Sequence, residues 1–246
     1  MEVHSHTHTP RQKWSHYFWE FIMLFLAVFC GFLAENFREH QVEHQREKQY
    51  IRSLIQDIKT DTANINEWSA WYDKITASCD TVLEKFDSLQ NNFSGSARVN
   101  FFYVLDGFPD FIYTDRTMQQ LKNAGGLRLI RKSVAVDSII AYDQAVRDLL
   151  IEETGVSMYY DQLNEITAKM LSYRKLLSDI MQQESPGLKK EMPNYWFTRD
   201  ADMFEQLYNW FLKYENTVGG FNRYLLQLKA RGGRLMKFLK EKYHFD

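Results

Sequence analysis

Two histidines and a glutamate in this chain have the spacing of a zinc-binding helix. The stretch His40-Gln-Val-Glu-His44 matches the pattern H-x-x-E-H, in which histidines four residues apart face one way and can share a tetrahedral metal. Catalysis would also need a third ligand and a walled cavity, and the polar sequence around the motif indicates neither. We keep His40, Glu43 and His44 as candidate metal ligands, for a metalloenzyme or an incidental site between protomers, and favour a solvated helix face.

Three further histidines lie in the N-terminal tail, MEVHSHTHTPRQK. His4, His6 and His8 alternate, and an extended chain could chelate a metal with them, although a polar tail that binds nothing is the simpler interpretation. No Ser/His/Asp or Cys/His arrangement can be argued from spacing. We therefore expect a protein that is not an enzyme and has no cofactor.

Cationic side chains mark two candidate binding surfaces. Around the pair Gly125-Gly126, a turn could hold an anion or contact a partner through Arg116, Lys122, Arg128 and Arg131. Near the C-terminus, a basic run could contact acidic lipid or a partner, and it consists of Lys229, Arg231, Arg234, Lys237, Lys240 and Lys242. Surface charge without a ligand is the competing interpretation of both.

An apolar run near the N-terminus decides where these candidates would lie. The fourteen residues between Glu20 and Glu35 carry no charge, and aromatic residues precede them as in a membrane-interface belt. From Tyr17 to Ala34 there are eighteen residues, or roughly 27 Å of helix. We predict a transmembrane helix over 14–35, with anchor residues Trp14, Tyr17, Trp19, Glu20, Phe21, Leu24, Phe25, Phe29, Cys30 and Phe32.

A cleaved signal peptide and a buried core helix are the alternatives for this run. Cleavage after Ala34 would place Phe32 at position −3, which a signal peptidase disfavours, and a core helix would keep a polar stripe that the run lacks. Lys and Arg counts on the two sides do not decide the orientation. Because the tail is short and basic, we expect the N-terminus to be cytoplasmic and the C-terminal domain extracytoplasmic.

Composition limits the class of protein further. The 30 Lys and Arg nearly balance the 32 Asp and Glu, which argues against nucleic acid as a partner. Aromatic residues are 15% of the chain, so the body should be folded. With only four prolines, long helices are permitted.

Apolar periodicity predicts an all-α fold. After a polar helical stalk over 36–49, a seam spaced 3 and 4 runs through Ile65, Trp68, Tyr72, Ile75, Cys79, Val82, Phe86 and Leu89. A second seam in the last helix includes Gly232, which suggests a close approach of backbones. We predict an elongated up-and-down bundle over 50–246, following the disordered polar tail 1–13. The seams could be satisfied within one chain or in a homo-oligomer.

Local signals predict where the helices begin, end or bend. Thr114-Asp115 and Asp200 have the character of N-caps, and Gly125-Gly126 of a helix stop. Gly155 is a candidate break in the helical pattern from Val134 to Gln183, and Gly219-Gly220 a candidate kink.

Two segments carry a resemblance to a known family. One is WSHYFWEFIMLFLAVFCGFLAEN from Trp14, continued by EHQVEHQREKQYIRSLI to Ile55, and the other is TMQQLKNAGGLRLI from Thr117. They resemble a family of single-pass bacterial membrane proteins with a domain of unknown function, and the ending KYHFD is similar to its C-terminus. The resemblance implies an N-terminal anchor in the bacterial inner membrane, followed by a helical domain, and carries over no catalytic residue. It also implies that His40 and His44 belong to a juxtamembrane signature.

These observations favour a membrane-anchored interaction, scaffold or sensory protein with an unknown protein partner. A small-ligand sensor is the main rival, because helical bundles hold ligands between helices. Its pocket would be lined by Trp68, Trp71, Tyr113, Arg116, Trp196 and Trp210.

Overall fold

The computed structural model describes residues 14–90, 95–123, 125–182 and 195–245. In those ranges the chain is helical, without a strand and with one isolated antiparallel bridge between Leu171 and Trp196, which confirms the all-α prediction. The helices are α1 (Trp14–Glu84), α2 (Phe86–Leu89), α3 (Gly95–Leu105), α4 (Arg116–Asn123), α5 (Ser133–Met170), α6 (Tyr173–Gln182) and α7 (Ala201–Tyr243). The tail with His4, His6 and His8 lies outside the described residues.

The chain divides into two units, Met1–Tyr50 and Ile51–Asp246. The described part of the first unit is the beginning of α1, with no interruption between the apolar run and the polar stalk. The second unit is a helical bundle with a hydrophobic core, which we call the bundle domain.

Three long helices form the bundle domain: α1 from Ile51 onward, α5 and α7. Along α1, Ile58 lies beside Gly232 of α7, and Tyr72 has its ring 5.1 Å from that of Phe221. Since residue numbers rise along α1 as they fall along α7, these two helices are antiparallel. Gly232 is also close to Tyr142 of α5, and α5 and α7 pack against each other along their length.

The apolar seams supply the core of the bundle domain. On α1 and α2 every predicted seam residue is buried except Trp68, which is half-buried. On α7 the seam is buried throughout, at Leu207, Phe211, Tyr214, Val218, Phe221, Leu225, Leu228, Gly232, Leu235 and Leu239. Each large apolar side chain buried in this way contributes about 1.5–3 kcal/mol. The seams are therefore satisfied within one chain.

Residues 106–115 form an extended strap that returns along α1 from α3 to α4. The Tyr72 hydroxyl donates to the Pro109 carbonyl at 2.8 Å, and Glu153 of α5 accepts from the Phe111 amide. Burial raises the pKa of Glu153, the larger effect, while the Phe111 amide lowers it. These bonds satisfy the backbone of a segment that has no secondary structure of its own.

One predicted interruption is wrong, and one real interruption was not predicted. Gly155 lies inside α5, and the helix continues through it. Gly219-Gly220 lies inside the continuous helix α7, and the kink expected at this pair stays a prediction. α5 ends instead at Leu171, which is extended, because this stretch pairs with residues 195–197: the Ser172 amide donates to the Tyr195 carbonyl and the Phe197 amide to the Met170 carbonyl.

The predicted N-cap of α7 is confirmed, whereas the start of α4 is held by a carboxylate from another helix. The Asp200 side chain accepts from the Met203 amide at 2.9 Å. Gly125 has φ 66°, the left-handed conformation that favours glycine after a helix. At the start of α4, the Thr117 amide donates to Asp57 of α1, so a distant carboxylate satisfies this helix terminus.

Candidate functional site

The apolar residues of the predicted anchor are exposed in the first unit. Their exposed fractions range from 46% at Phe29 to 88% at Trp14, and Glu20 and Cys30 are exposed with them. α1 is the one helix of the described residues that is long and apolar enough to cross a membrane, by length and composition. A contiguous apolar surface of this kind marks a membrane or protein interaction site.

His40 and His44 lie on the polar part of α1. His40 Nδ1 is 3.9 Å from the Glu43 carboxylate, and His44 Nδ1 is 3.3 Å from that of Glu47. Among residues 14–90, 95–123, 125–182 and 195–245, no group of three or more His, Cys, Asp or Glu side chains could hold a metal ion. The motif therefore has two histidines on a helix and no described third ligand.

A buried carboxylate, Asp57, holds the start of α4. It is 1% exposed, and its two oxygens accept from Arg116 Nε at 2.7 Å and from the Thr117 amide at 3.2 Å. The positive end of the α4 backbone and the guanidinium together compensate the buried negative charge. Asp57 thus fixes the junction between the strap and α4.

Asp61, one turn further along α1, is fully buried and only partly hydrogen-bonded. Its Oδ1 accepts from the Thr114 amide at 3.0 Å, while its Oδ2 and the hydroxyls of Tyr113 and Tyr142 have no described partner. Burial is the main cause that raises the pKa of Asp61, and the neighbouring Asp57 and Asp115 raise it further. Burial also raises the pKa of both tyrosines. A buried polar group without a partner costs about 1–3 kcal/mol.

A third buried carboxylate, Asp143 of α5, is paired with two cations. Lys122 Nζ lies 2.6 Å from its Oδ2, and Arg147 forms an ion pair with the same oxygen from the next turn of α5. Asp143 is 3% exposed, so breaking the pair would leave an uncompensated buried charge.

The four cations predicted to hold an anion have different surroundings. Arg116 and Lys122 are each paired with a buried carboxylate, as described above. The Arg128 guanidinium lies beside Gly125, and Arg128 and Arg131 are exposed. The charges of Arg116 and Lys122, at least, are therefore already compensated within the fold.

A groove between α5 and α7 is lined by cationic and apolar side chains, and no sequence motif predicts it as a pocket. We call it the α5–α7 groove; it has a volume of about 370 Å³ and is lined by Ser138, Ala141, Tyr142, Arg231, Arg234, Leu235 and Phe238. A smaller groove of about 180 Å³, also lined by Arg231, includes the carboxylates Asp148 and Glu152. The predicted basic run was the only sequence signal for this site.

The aromatic residues expected to line a sensor pocket take part in separate contacts. Trp196 donates from Nε1 to the Leu89 carbonyl at 2.9 Å and packs on Phe204. Trp68 packs on Phe111 and Trp210 on Tyr159. None of the six lines either of the two grooves between α5 and α7.

Comparisons with protein family models, with characterised proteins and with solved structures find no match for this chain.

Proposed function

We propose that this protein is a membrane-anchored helical interaction module without an enzyme activity of its own. The observation that carries the proposal is the exposed apolar segment of α1, none of whose most apolar window is buried. The same helix continues into the core of the bundle domain. The bundle domain has its own buried core, so its long helices hold their exposed faces in fixed positions where a partner could bind.

Membrane insertion is tested by alkaline carbonate extraction of membranes from cells that express the full chain. The wild type should stay in the pellet, and Leu24→Arg/Phe25→Arg should move it to the soluble or aggregated fraction, because each arginine costs about 2.5–3.5 kcal/mol at the centre of a membrane helix. The matched control, Phe37→Arg/Gln41→Arg, adds the same charges outside the apolar run and should remain in the pellet. A wild-type chain that is extracted by carbonate would reject the anchor.

For location, we propose the bacterial inner membrane, with the N-terminus cytoplasmic and the bundle domain extracytoplasmic. The resemblance in residues 14–55 to single-pass bacterial membrane proteins and the basic residues Arg11 and Lys13 before the apolar run support this arrangement. A C-terminal alkaline phosphatase fusion should be active and a C-terminal fluorescent protein fusion dark. The opposite pair of results would place the bundle domain in the cytoplasm.

The interaction role is tested by crosslinking in intact cells, followed by purification of the full chain from native membranes. A partner should be enriched with the wild type and lost with Leu24→Arg/Phe25→Arg, but retained with Phe37→Arg/Gln41→Arg. If the wild type enriches no protein relative to Leu24→Arg/Phe25→Arg, the chain does not act as a protein-interaction module in that membrane.

A further inference from the structure

The α5–α7 groove combines two unpaired guanidinium groups with an apolar floor. Arg231 and Arg234 are exposed and have no ion pair or hydrogen bond in the described part of the chain. They are three residues apart on α7, so both lie on one face of the helix. Leu235 and Phe238 also line the groove; Leu235 is buried and Phe238 is half-buried. The groove therefore offers charge to an anion and apolar contact to whatever adjoins it.

The surroundings of the groove are cationic as well. From Tyr224 to Tyr243, α7 carries six Lys and Arg residues and one carboxylate, Glu241. The neighbouring smaller groove differs, because Asp148 and Glu152 line it and would repel an anion. Of the two grooves, the α5–α7 groove is therefore the one whose charge is complementary to a negative ligand.

The chain enters the bundle domain at the same end as these cations. The Arg52 guanidinium lies 4.7 Å from the centroid of the Phe245 ring, and Lys132 Nζ lies 4.4 Å from that of Tyr243. Arg52 follows Ala34, the last residue of the apolar run, by eighteen positions along the chain. Phospholipid is therefore a ligand that a protein anchored by that run would encounter.

We propose that the α5–α7 groove binds an anionic phospholipid, with Arg231 and Arg234 on the phosphate and Leu235 and Phe238 against the adjoining glycerol and acyl carbons. Guanidinium groups recognise phosphate oxygens with paired, charge-assisted hydrogen bonds. A volume of about 370 Å³ is within the range of small-molecule sites and suits a headgroup with its first carbons. The proposal rests on the membrane location proposed above and names the lipid as one partner of the module.

The test is native mass spectrometry of the full chain in a neutral maltoside detergent, titrated with dihexanoyl phosphatidylglycerol. We expect a saturable single adduct, and an apparent affinity at least about tenfold lower for Arg231→Gln/Arg234→Gln, because two charge-assisted contacts are removed. The matched control is Arg174→Gln/Arg199→Gln, which removes two exposed guanidiniums elsewhere and should bind like the wild type. An equal loss in both double variants would mean net charge alone acts, and would overturn the site.

Two further ligands distinguish a lipid from other sources of the same chemistry. Dihexanoyl phosphatidylcholine should bind more weakly, because its headgroup carries a compensating cation. Glycerol 3-phosphate should compete poorly, because it lacks the carbons that meet Leu235 and Phe238. If glycerol 3-phosphate binds as well as the lipid, the groove is a soluble-phosphate site and the lipid proposal is wrong. Equal binding of phosphatidylcholine would also overturn it.

A second variant keeps the test decisive if the double arginine variant does not fold. Ala141 is exposed on the α5 side of the groove, and Ala141→Glu leaves both arginines in place while adding a carboxylate that competes with the anion. It should lower phosphatidylglycerol binding by a similar factor, and unchanged binding would count against the groove. Failure of this experiment would leave carbonate extraction unaffected, so a wrong lipid site and a wrong anchor give different results.

Discussion

At the scale of single residues, Gly232 brings α7 against both α1 and α5. A Cβ at this position would lie 2.9 Å from Thr62 Cγ2, 3.0 Å from Ile58 Cγ2 and 3.3 Å from Tyr142 Cε2. The first two are methyl groups of β-branched side chains, which are stiff at χ1. We expect Gly232→Ala to lower the free energy of unfolding by about 1–3 kcal/mol through overpacking.

The neighbouring glycine provides the control for this prediction. A Cβ at Gly233 would meet nothing within 4 Å, so Gly233→Ala should raise stability by up to about 1 kcal/mol through helix propensity alone. Denaturant unfolding of the two variants, followed by circular dichroism, measures the difference. If both alanines stabilise the protein equally, the helices are not in close contact at Gly232.

A buried aspartate should give the bundle domain a pH dependence of known sign. Because burial raises the pKa of Asp61 in the fold above its ordinary value of 3.8, the folded state retains a proton that the unfolded chain releases. Stability therefore falls as pH rises from about 3.8 towards the folded pKa of Asp61, and is constant above it. Asp61→Asn cannot ionise, so its melting temperature relative to wild type should rise between pH 4 and pH 7.

Asp61 has several polar and charged neighbours, so the control for its pH effect is an aspartate that lies away from them. Thr114 donates to it, Asp57 and Asp115 raise its pKa, and the hydroxyls of Tyr113 and Tyr142 lie without a described partner. Asp137→Asn changes an exposed aspartate on α5 and should follow the wild-type pH profile. The difference in melting temperature between Asp61→Asn and the wild type could instead be the same at pH 4 and pH 7. That result would contradict the prediction and indicate that Asp61 acts only through its hydrogen bond.

At the scale of elements, the junction of the strap and α4 depends on one carboxylate of α1. Asp57→Ala would leave the buried Thr117 amide without its acceptor, and we expect a loss of about 1–3 kcal/mol. Arg116→Gln should cost less, because the Thr117 amide still compensates the buried carboxylate and the Arg116 side chain, which is 67% exposed, is screened by solvent. Denaturant unfolding of both variants measures the difference. Equal losses would mean that the ion pair, rather than the backbone bond, holds α4.

The helices themselves could be predicted from the sequence more fully than their junctions could. The seams on α1 and α7, the cap at Asp200, the stop at Gly125 and the close approach at Gly232 depend on local spacing or on a single residue type. The clamp by Asp57 joins residues sixty positions apart, and the end of α5 at Leu171 depends on pairing with residues 195–197. Such long-range partners have no local signature.

The candidate sites also divide into those with a local sequence signal and those that depend on residues far apart in the chain. The apolar segment of α1 was visible as a run of residue types, and the basic run of α7 as a charge pattern. The α5–α7 groove was not visible as a pocket, because its two walls are 89 to 100 positions apart in the sequence and become adjacent only when the helices pack. Likewise, the charges of Arg116 and Lys122 gave no sign that Asp57 and Asp143 would compensate them.

At the scale of the whole molecule, the buried seams predict how the folded state responds to concentration. Ile75, Cys79 and Val82 are at most 2% exposed within one chain, so the seam residues that the structure describes leave almost no apolar surface for a second copy to cover. The melting temperature of the full chain in detergent should therefore be independent of protein concentration, whereas a folded state that requires a dimer becomes more stable as concentration rises.

A seam variant separates folding from assembly in the same measurement. Ile75→Gln places a polar amide in the core and should lower the melting temperature, since burying such a group without a hydrogen bond costs about 1–3 kcal/mol. Glu67→Gln, at an exposed position of α1, is the control and should melt like the wild type. Mass photometry should find the same mass for all three chains. A wild-type melting temperature that rises with concentration, together with a multimer that Ile75→Gln dissociates without unfolding, would show that the seams join protomers after all.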